Sequence, residues 1–291
     1  MRKLITLFII LYLPVMLFSQ RSELGLMLGA TYYLGDLKSS SNHFSMSMPA
    51  GGLLYRYNFN YRWSIKVNAI FGYLAADDNI TNPPQKYRNL SFRSPLFEFS
   101  PHVELNFFKY QTGHKKYKFS PYLFGGICLF YFNPQAKYND KWFDLQPLGT
   151  EGQGTIEYPD RKPYSLISFG IPFGLGLKFS PTKKLNIGLE WGMRKTFTDY
   201  LDDVSKTYVD PTILSTQKSP MSGILSDRSE IIHAHDSQRG NSKNNDWYSF
   251  ASLNLTFKLD FSDKSCSAYP KRISYPKFFK NKKVTPQNFP Q

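Results

Sequence analysis

The sequence is poor in cysteine, with two in 291 residues, which excludes a disulfide-stapled scaffold and a cysteine-rich zinc domain. After residue 20 it has no apolar run near the roughly 20 residues that a membrane-spanning helix needs. With a negative mean hydropathy, it is not a polytopic helical membrane protein. It is short of acid: 22 Asp and Glu stand against 36 Lys and Arg, a formal charge of +14. Aromatics, in contrast, are abundant. The 20 Tyr and 25 Phe exclude disorder over most of the chain, because disordered segments are poor in such residues.

Arg2 and Lys3 precede an apolar run from Leu4 to Phe18, followed by Ser19-Gln20. A basic start, an apolar stretch and a small residue form the pattern of a secretory signal peptide over residues 1–19. Leu17 fits the cleavage pattern poorly, which leaves the cleavage point open, and an uncleaved anchor is the alternative. Pro14 and the shortness of the run disfavour a transmembrane helix. No cysteine follows the run to carry a lipid, so the remainder reads as an exported chain.

That remainder alternates with period two, which sends every second side chain to one face of a strand. Apolar faces run Leu24 to Leu34, Trp63 to Tyr73, Ile167 to Phe179 and Ala251 to Phe261. Less regular faces are Leu53 to Phe59, Phe97 to Phe107 and Leu185 to Met193. An eighth segment, Pro121 to Phe132, is apolar on both faces, and its orientation is open. Pro101 and Pro172 lack the ladder N–H and predict bulges or breaks. Eight strands are expected.

Alternation does not say which face is inside. Three features put the apolar faces in lipid. Their length matches the 9–11 residues of a tilted membrane strand. The opposite faces carry Gly, Ser, Asn and charges of both signs, which suit the narrow interior of an eight-stranded barrel. The connections alternate: short at Asn60–Arg62 and Pro181–Lys184, moderate at Phe108–Lys118, and long at Gly35–Met48, Ala75–Arg93, Asn133–Pro163 and Thr198–Asp246. Tyr32, Tyr33, Tyr73, Tyr131 and Trp247 suit interfacial girdles. The reading is an all-β, eight-stranded antiparallel transmembrane barrel over residues 20–262, with short periplasmic turns, long extracellular loops and a basic periplasmic tail over 263–291. A soluble lipocalin-like barrel is the second choice.

Several stretches carry a family likeness: GDL at Gly35–Leu37, PYLFGGICLFYFNPQAKY at Pro121–Tyr138, LQPLGTEGQG at Leu145–Gly154, IPFGLGLKFSP at Ile171–Pro181, TFTDYLDDVSKTY at Thr196–Tyr208 and CSAY at Cys266–Tyr269. In these the chain resembles the PorG-like outer-membrane barrels of Bacteroidota. Cys128 stands where that family is expected to have glycine, and the tail after Pro270 falls outside the likeness. The resemblance implies a component of the type IX secretion system in the outer membrane of a Gram-negative bacterium; the alternation of short turns and long loops puts both termini in the periplasm, and no enzyme activity is expected. It would anchor or position a periplasmic ring of PorK/PorN-like proteins. A barrel with another role, surface structure or adhesion through its loops, is the alternative.

Candidate chemistry is sparse. Ser100, His102 and Glu104 share one strand face, yet neighbours two apart lie roughly 7 Å from each other, too far for a direct relay. His233, His235 and Asp236 lack further metal ligands. Asp199, Asp202, Asp203 and Asp210 lack the glycine-punctuated spacing of a calcium loop. Gly149, Gly152 and Gly154 are not a phosphate loop, because no Gly-Lys-Ser/Thr follows. No cofactor, metal or nucleic acid is expected.

In the lumen, Arg56, Lys66, Lys178, Arg194 and Lys258 are expected to pair with Glu98, Glu104, Glu190 and Asp260 in a structural ion network. Such a filled lumen argues against a diffusion pore. In the tail, Cys266, Lys271, Arg272, Lys277, Lys280, Lys282 and Lys283 are candidates for contact with the periplasmic partner. On the wall, an arginine at Leu175 should impair insertion, and a serine at Gly176 on the opposite face should be milder.

Overall fold

The computed structural model describes residues 21–37, 46–80, 85–229 and 233–259. Residues 1–19, where a signal peptide is expected, and Asp260, Cys266 and the basic tail lie outside the described residues.

Eleven strands build the sheet: β1 (Ser22–Leu34), β2 (Met48–Asn58), β3 (Trp63–Asp77), β4 (Ser91–Asn106), β5 (Phe119–Gly126), β6 (Cys128–Phe132), β7 (Gln135–Tyr138), β8 (Lys141–Asp144), β9 (Ile167–Phe179), β10 (Leu185–Thr196) and β11 (Trp247–Lys258). Neighbours pair antiparallel around a closed ring, with β1–β2, β2–β3, β3–β4, β4–β5/β6, β5/β6–β9, β9–β10, β10–β11 and β11–β1. Counting β5 and β6 as one stave, the barrel has eight, and closure leaves none of them an open edge. The staves are the eight segments that the alternation marks out.

Their apolar faces point outward. Leu26, Trp63, Phe71, Phe97, Phe169, Leu175 and Leu189 are all exposed, while Lys66, Asn68, Ser100, Asn186 and Thr256 on the opposite faces are fully buried. A soluble barrel has the reverse arrangement. An apolar exterior around a polar interior makes this a transmembrane barrel. Among the described residues no helix is long and apolar enough to cross a membrane.

The break between β5 and β6 has a local cause. Ile127 sits opposite Pro101 of β4, and the next residue back, Gly126, sits opposite Pro172 of β9. A proline on either side removes a ladder donor at this level, and Ile127 N bonds only weakly to Pro101 O, at 3.3 Å. Register is the same above and below, so no extra residue and no bulge is present.

The two apolar faces of this stave are also explained. Leu123 and Leu129 face out, while Tyr122, Phe124, Phe130 and Phe132 face in. The inward rings occupy space that β9 and β10 leave by carrying glycine. A Cβ on Gly176 would come within 2.6 Å of the Tyr122 ring, and one on Gly192 within 2.5 Å of Phe124. Gly176→Ser therefore carries a packing cost that the face assignment alone does not include, because the Tyr122 ring must shift to admit a Cβ. Tyr33, expected in a girdle, is instead buried inside the barrel top, since β1 turns that side chain inward.

At one end the turns are short. At the other, strands run beyond the apolar belt into loops that carry the β7–β8 hairpin and the helices Gln85–Arg88, Leu145–Leu148, Pro211–Gln217 and Pro220–Ser226. Pro at the first turn and the capping side chains of Asp210 and Ser219 start the last two.

Candidate functional site: a filled lumen under a carboxylate-rich loop knot

Four cations and four carboxylates interlock in the lumen. Glu104 of β4 accepts from Arg56 at 2.8 and 3.3 Å and from Lys178 Nζ at 2.5 Å, and lies 3.4 Å from Lys66 Nζ. Lys66 also pairs with Glu190, which accepts from Tyr122 Oη at 2.5 Å. Arg56 reaches down to Glu23 at 2.9 Å. Nearer the loop end, Arg194 Nε donates to Glu98 at 3.1 Å, and Tyr248 and Ser100 add their hydroxyls to the same carboxylate. Every side chain of these pairs is at most 1% exposed, and the ions balance within the buried interior as burial requires. Rings add to the fill: Lys178 lies 4.2 Å from the centre of Tyr122 and Lys66 4.8 Å from that of Phe124.

Two members of the expected network are not placed in it. Lys258 lies half-buried at the turn-end rim and makes no ion pair among the described residues, and Asp260 lies outside them. Their place is taken by Glu23, which sequence reasoning missed. It stands opposite Lys258 in the β1–β11 register, but its oxygens go to Arg56, Thr112, Thr256 and Asn58. Arg56 is fully buried and forks between two carboxylates, whereas Lys258 at the rim is only half-buried.

Ser100, His102 and Glu104 do not form a relay. Ser100 donates to Glu98 at 2.6 Å, Glu104 is occupied by three cations, and His102 stacks on Phe124 with Nδ1 3.3 Å from Asn68. His233 bonds Asp227 at 3.0 Å and stacks on Tyr208, His235 lies 3.8 Å from Asp210, and Asp236 lies 3.8 Å from Arg161. Among the described residues no three His, Cys, Asp or Glu side chains converge as a metal site.

Above the lumen, three of the stretches that carry the family likeness meet in space. From the first, Leu37 N donates to Asp202 at 3.3 Å. From LQPLGTEGQG, Thr150 bonds Asp203, and Glu151 accepts from the backbone N–H groups of Ser205 and Lys206 at 2.9 and 3.0 Å. The glycines of that stretch have positive φ, +62° at Gly149 and +85° at Gly152, and the turn they allow aims Glu151 inward. From the third, Asp202 accepts from Tyr33 Oη at 2.7 Å while Asp246 lies 2.6 Å from the same oxygen.

Two arginines bind the loops together. Arg239 bonds Glu151 at 3.0 Å and Asp203 O at 2.6 Å. Arg88 holds Asp78 and donates to Asp36 O and Arg239 O, both at 2.8 Å. Beneath them Leu37, Leu90, Phe92, Phe132, Leu201 and Val204 form an apolar plug in the barrel top.

A phenol has one proton, so Tyr33 cannot donate to both carboxylates, and a carboxyl proton completes the second bond. Burial, with Tyr33 hydrogen bonding as a partial offset and Asp36 adding repulsion, raises the Asp202 carboxyl to about 8. Burial also raises Asp199 to about 7 and Asp203 to about 6, and lifts Asp246 well above the ordinary range. These groups ionise near the ordinary 3.8 in the unfolded chain, so the folded chain binds more protons between that pH and about 8. Their contribution to stability is complete below the unfolded value and is lost as pH rises through the folded ones. The loop knot should therefore melt at a higher temperature at pH 5 than at pH 8. Asp202→Asn should flatten the difference, and an equal or opposite slope in the parent protein would contradict a shared proton.

Comparison with known proteins adds the following. The family described as a domain of unknown function, DUF6089, matches residues 1–211, more than half of the chain. No curated protein matches. Among solved structures, Ail, the attachment invasion locus protein of Yersinia pestis, in complex with the heparin analogue sucrose octasulfate, is 8% identical with a TM-score of 0.37, over 81% of this chain and 95% of that one. Neisserial surface protein A is 10% identical with a TM-score of 0.36, over 81% and 95%. OprG, an outer membrane protein of Pseudomonas aeruginosa, is 10% identical with a TM-score of 0.34, over 82% and 94%.

Proposed function

We propose, from the premise that the chain belongs to the DUF6089 family, that it is an outer-membrane barrel that anchors or positions the periplasmic ring of a type IX protein secretion machine. Its short turns and both termini then face the periplasm, and its loops face outward. The observation that carries the reading is the lumen: four cations paired with four carboxylates, together with inward aromatic rings, fill it, which suits a rigid anchor and not a conduit. The PorG-like resemblance of the sequence supplies the ring as partner, with proteins like PorK and PorN.

A second reading rests on a separate observation. The loops are tied by Arg88 and Arg239 into one buried knot, and a rigid outer surface of that kind suits adhesion or surface structure.

The tail decides between them. Between Ser262 and Gln291 the sequence carries Lys264, Lys271, Arg272, Lys277, Lys280, Lys282 and Lys283 against Asp263 alone. Truncation before Pro270 should leave a folded, detergent-extracted barrel with heat-modifiable gel mobility, and should weaken co-purification of periplasmic ring proteins. Added salt should weaken capture by the intact protein in the same direction. Ring proteins retained at full strength by the truncated form would remove the tail from the contact, and their absence from the intact protein would leave the adhesion reading.

A further inference from the structure

The outer wall of the barrel carries a cationic notch that the anchoring role does not use. Arg93 of β4 stands on the same face as Phe97 and Phe99, four residues, or about 13 Å, beyond Phe97 toward the loops. The β7–β8 hairpin pairs to β4 at this residue, Gln135 opposite Arg93, and thereby brings Trp142 over it. The guanidinium lies 4.0 Å from the centre of the Trp142 ring system and 5.4 Å from that of Tyr73. A cavity of about 560 Å³ opens beside it, with Lys137 and Arg228 also on its wall.

The charges there are unevenly satisfied. Asp140 pairs with Lys137 at 2.7 Å, Asp77 accepts from Asn79 at 2.8 and 3.0 Å, and Arg228 donates to Ser91 Oγ at 2.9 Å. Arg93 has no carboxylate partner among the described residues, and its buried Nε has no hydrogen-bond acceptor. A planar guanidinium lying over one aromatic ring and near a second has few orientations left to it, which favours a forked bond to an oxyanion. Its height matters as well: Arg93 lies just past Phe71 and Phe97, the last strongly exposed apolar residues of β3 and β4, where a wall of this kind is expected to leave the hydrocarbon.

We infer that this notch binds the phosphate of an anionic membrane lipid in the leaflet at the loop end, with Arg93 as the main ligand and Lys137 and Arg228 in support. Trp142 covers the guanidinium and holds its plane. The inference rests on the transmembrane barrel and is independent of the secretion role.

The test uses the full-length protein in maltoside micelles, which carry no phosphate. Dioleoyl phosphatidic acid, dioleoyl phosphatidylcholine and inorganic phosphate are titrated separately, and bound ligand is counted by native mass spectrometry. Phosphatidic acid should bind at least about tenfold more tightly than either of the others, and Arg93→Gln should remove about that factor, as expected for a charge-assisted hydrogen bond. Arg93→Lys should recover part of it. Trp142→Ala, at a residue already 41% exposed, should weaken binding without disturbing the wall. Lys195→Gln serves as the control: Lys195 is a rim cation 5.9 Å from the Trp247 ring and is not part of this notch. Heat-modifiable mobility confirms each variant as folded. Equal binding by the parent and both the Arg93→Gln and Trp142→Ala variants would overturn the assignment. Inorganic phosphate or phosphatidylcholine bound as tightly as phosphatidic acid would do the same, as would an equal loss in Lys195→Gln.

Discussion

Replacing Glu104 with glutamine should destabilise the barrel more than any other single change in the lumen. Its carboxylate bonds Arg56 at two points and Lys178 at one, and faces Lys66 at 3.4 Å. Glutamine keeps the volume and removes the charge, leaving the cations one carboxylate short in a fully buried space. Breaking a buried pair by removing one partner costs about 3–5 kcal/mol, because the remaining charge stays uncompensated. Denaturant unfolding of the refolded barrel would measure it. Pairing the change with Lys178→Met, which removes one of the surplus cations, should recover part of the loss, since Arg56 retains Glu23 and Lys66 retains Glu190. A double variant as unstable as the sum of the two single changes would mean that the pair does not interact energetically.

Leu175→Arg probes the other side of the wall. Leu175 lies within the run of outward residues of β9, between Leu123 and Trp191 on the neighbouring strands, and is 51% exposed. An arginine on the lipid face costs about 2–4 kcal/mol at the bilayer midplane and less near the interfaces. Leu175→Ala should cost far less, because truncation toward lipid leaves no closed cavity. Gly176→Ser, one residue along, should also be damaging, for a reason unrelated to lipid: its Cβ meets the Tyr122 ring. The two kinds of damage separate in one comparison. Folding yield into bilayers should fall for Leu175→Arg and be near normal for Leu175→Ala, while denaturant stability should fall for Gly176→Ser. Wild-type behaviour of Leu175→Arg would place the apolar face away from lipid.

The strand count, the two faces of most staves and the alternation of short turns with long loops were legible in the sequence. All of these are local properties: a period of two, a length, and a Pro or Gly at a turn. The lumen cations were legible for the same reason, since Arg56, Lys66, Lys178 and Arg194 are the charged exceptions on small, polar faces. Glu23 was less so, because its position at the very start of β1 looks like a strand end until Arg56 and Thr112 are seen to reach it.

The inward turn of Tyr122 and Phe124 depends on glycines about 50 to 70 residues further along the chain. No pattern within an apolar stretch records which of its faces will meet those glycines. Tyr33 was misplaced for a related reason: an aromatic at a strand end suits a membrane girdle as well as a buried phenol. Only the loop carrying Asp202 and Asp246, the residue just before β11, brought together above it, decide for the interior. The loop knot is the extreme case. Its acids are scattered from Asp36 to Asp246, and each alone reads as a solvated loop residue. Closure of the ring carries the four long loops to one end, where burial raises several of these carboxyls and Asp202 and Asp246 meet on the Tyr33 hydroxyl. Periodicity travels with the backbone and can be read along it, whereas these contacts exist only once β1 has paired with β11.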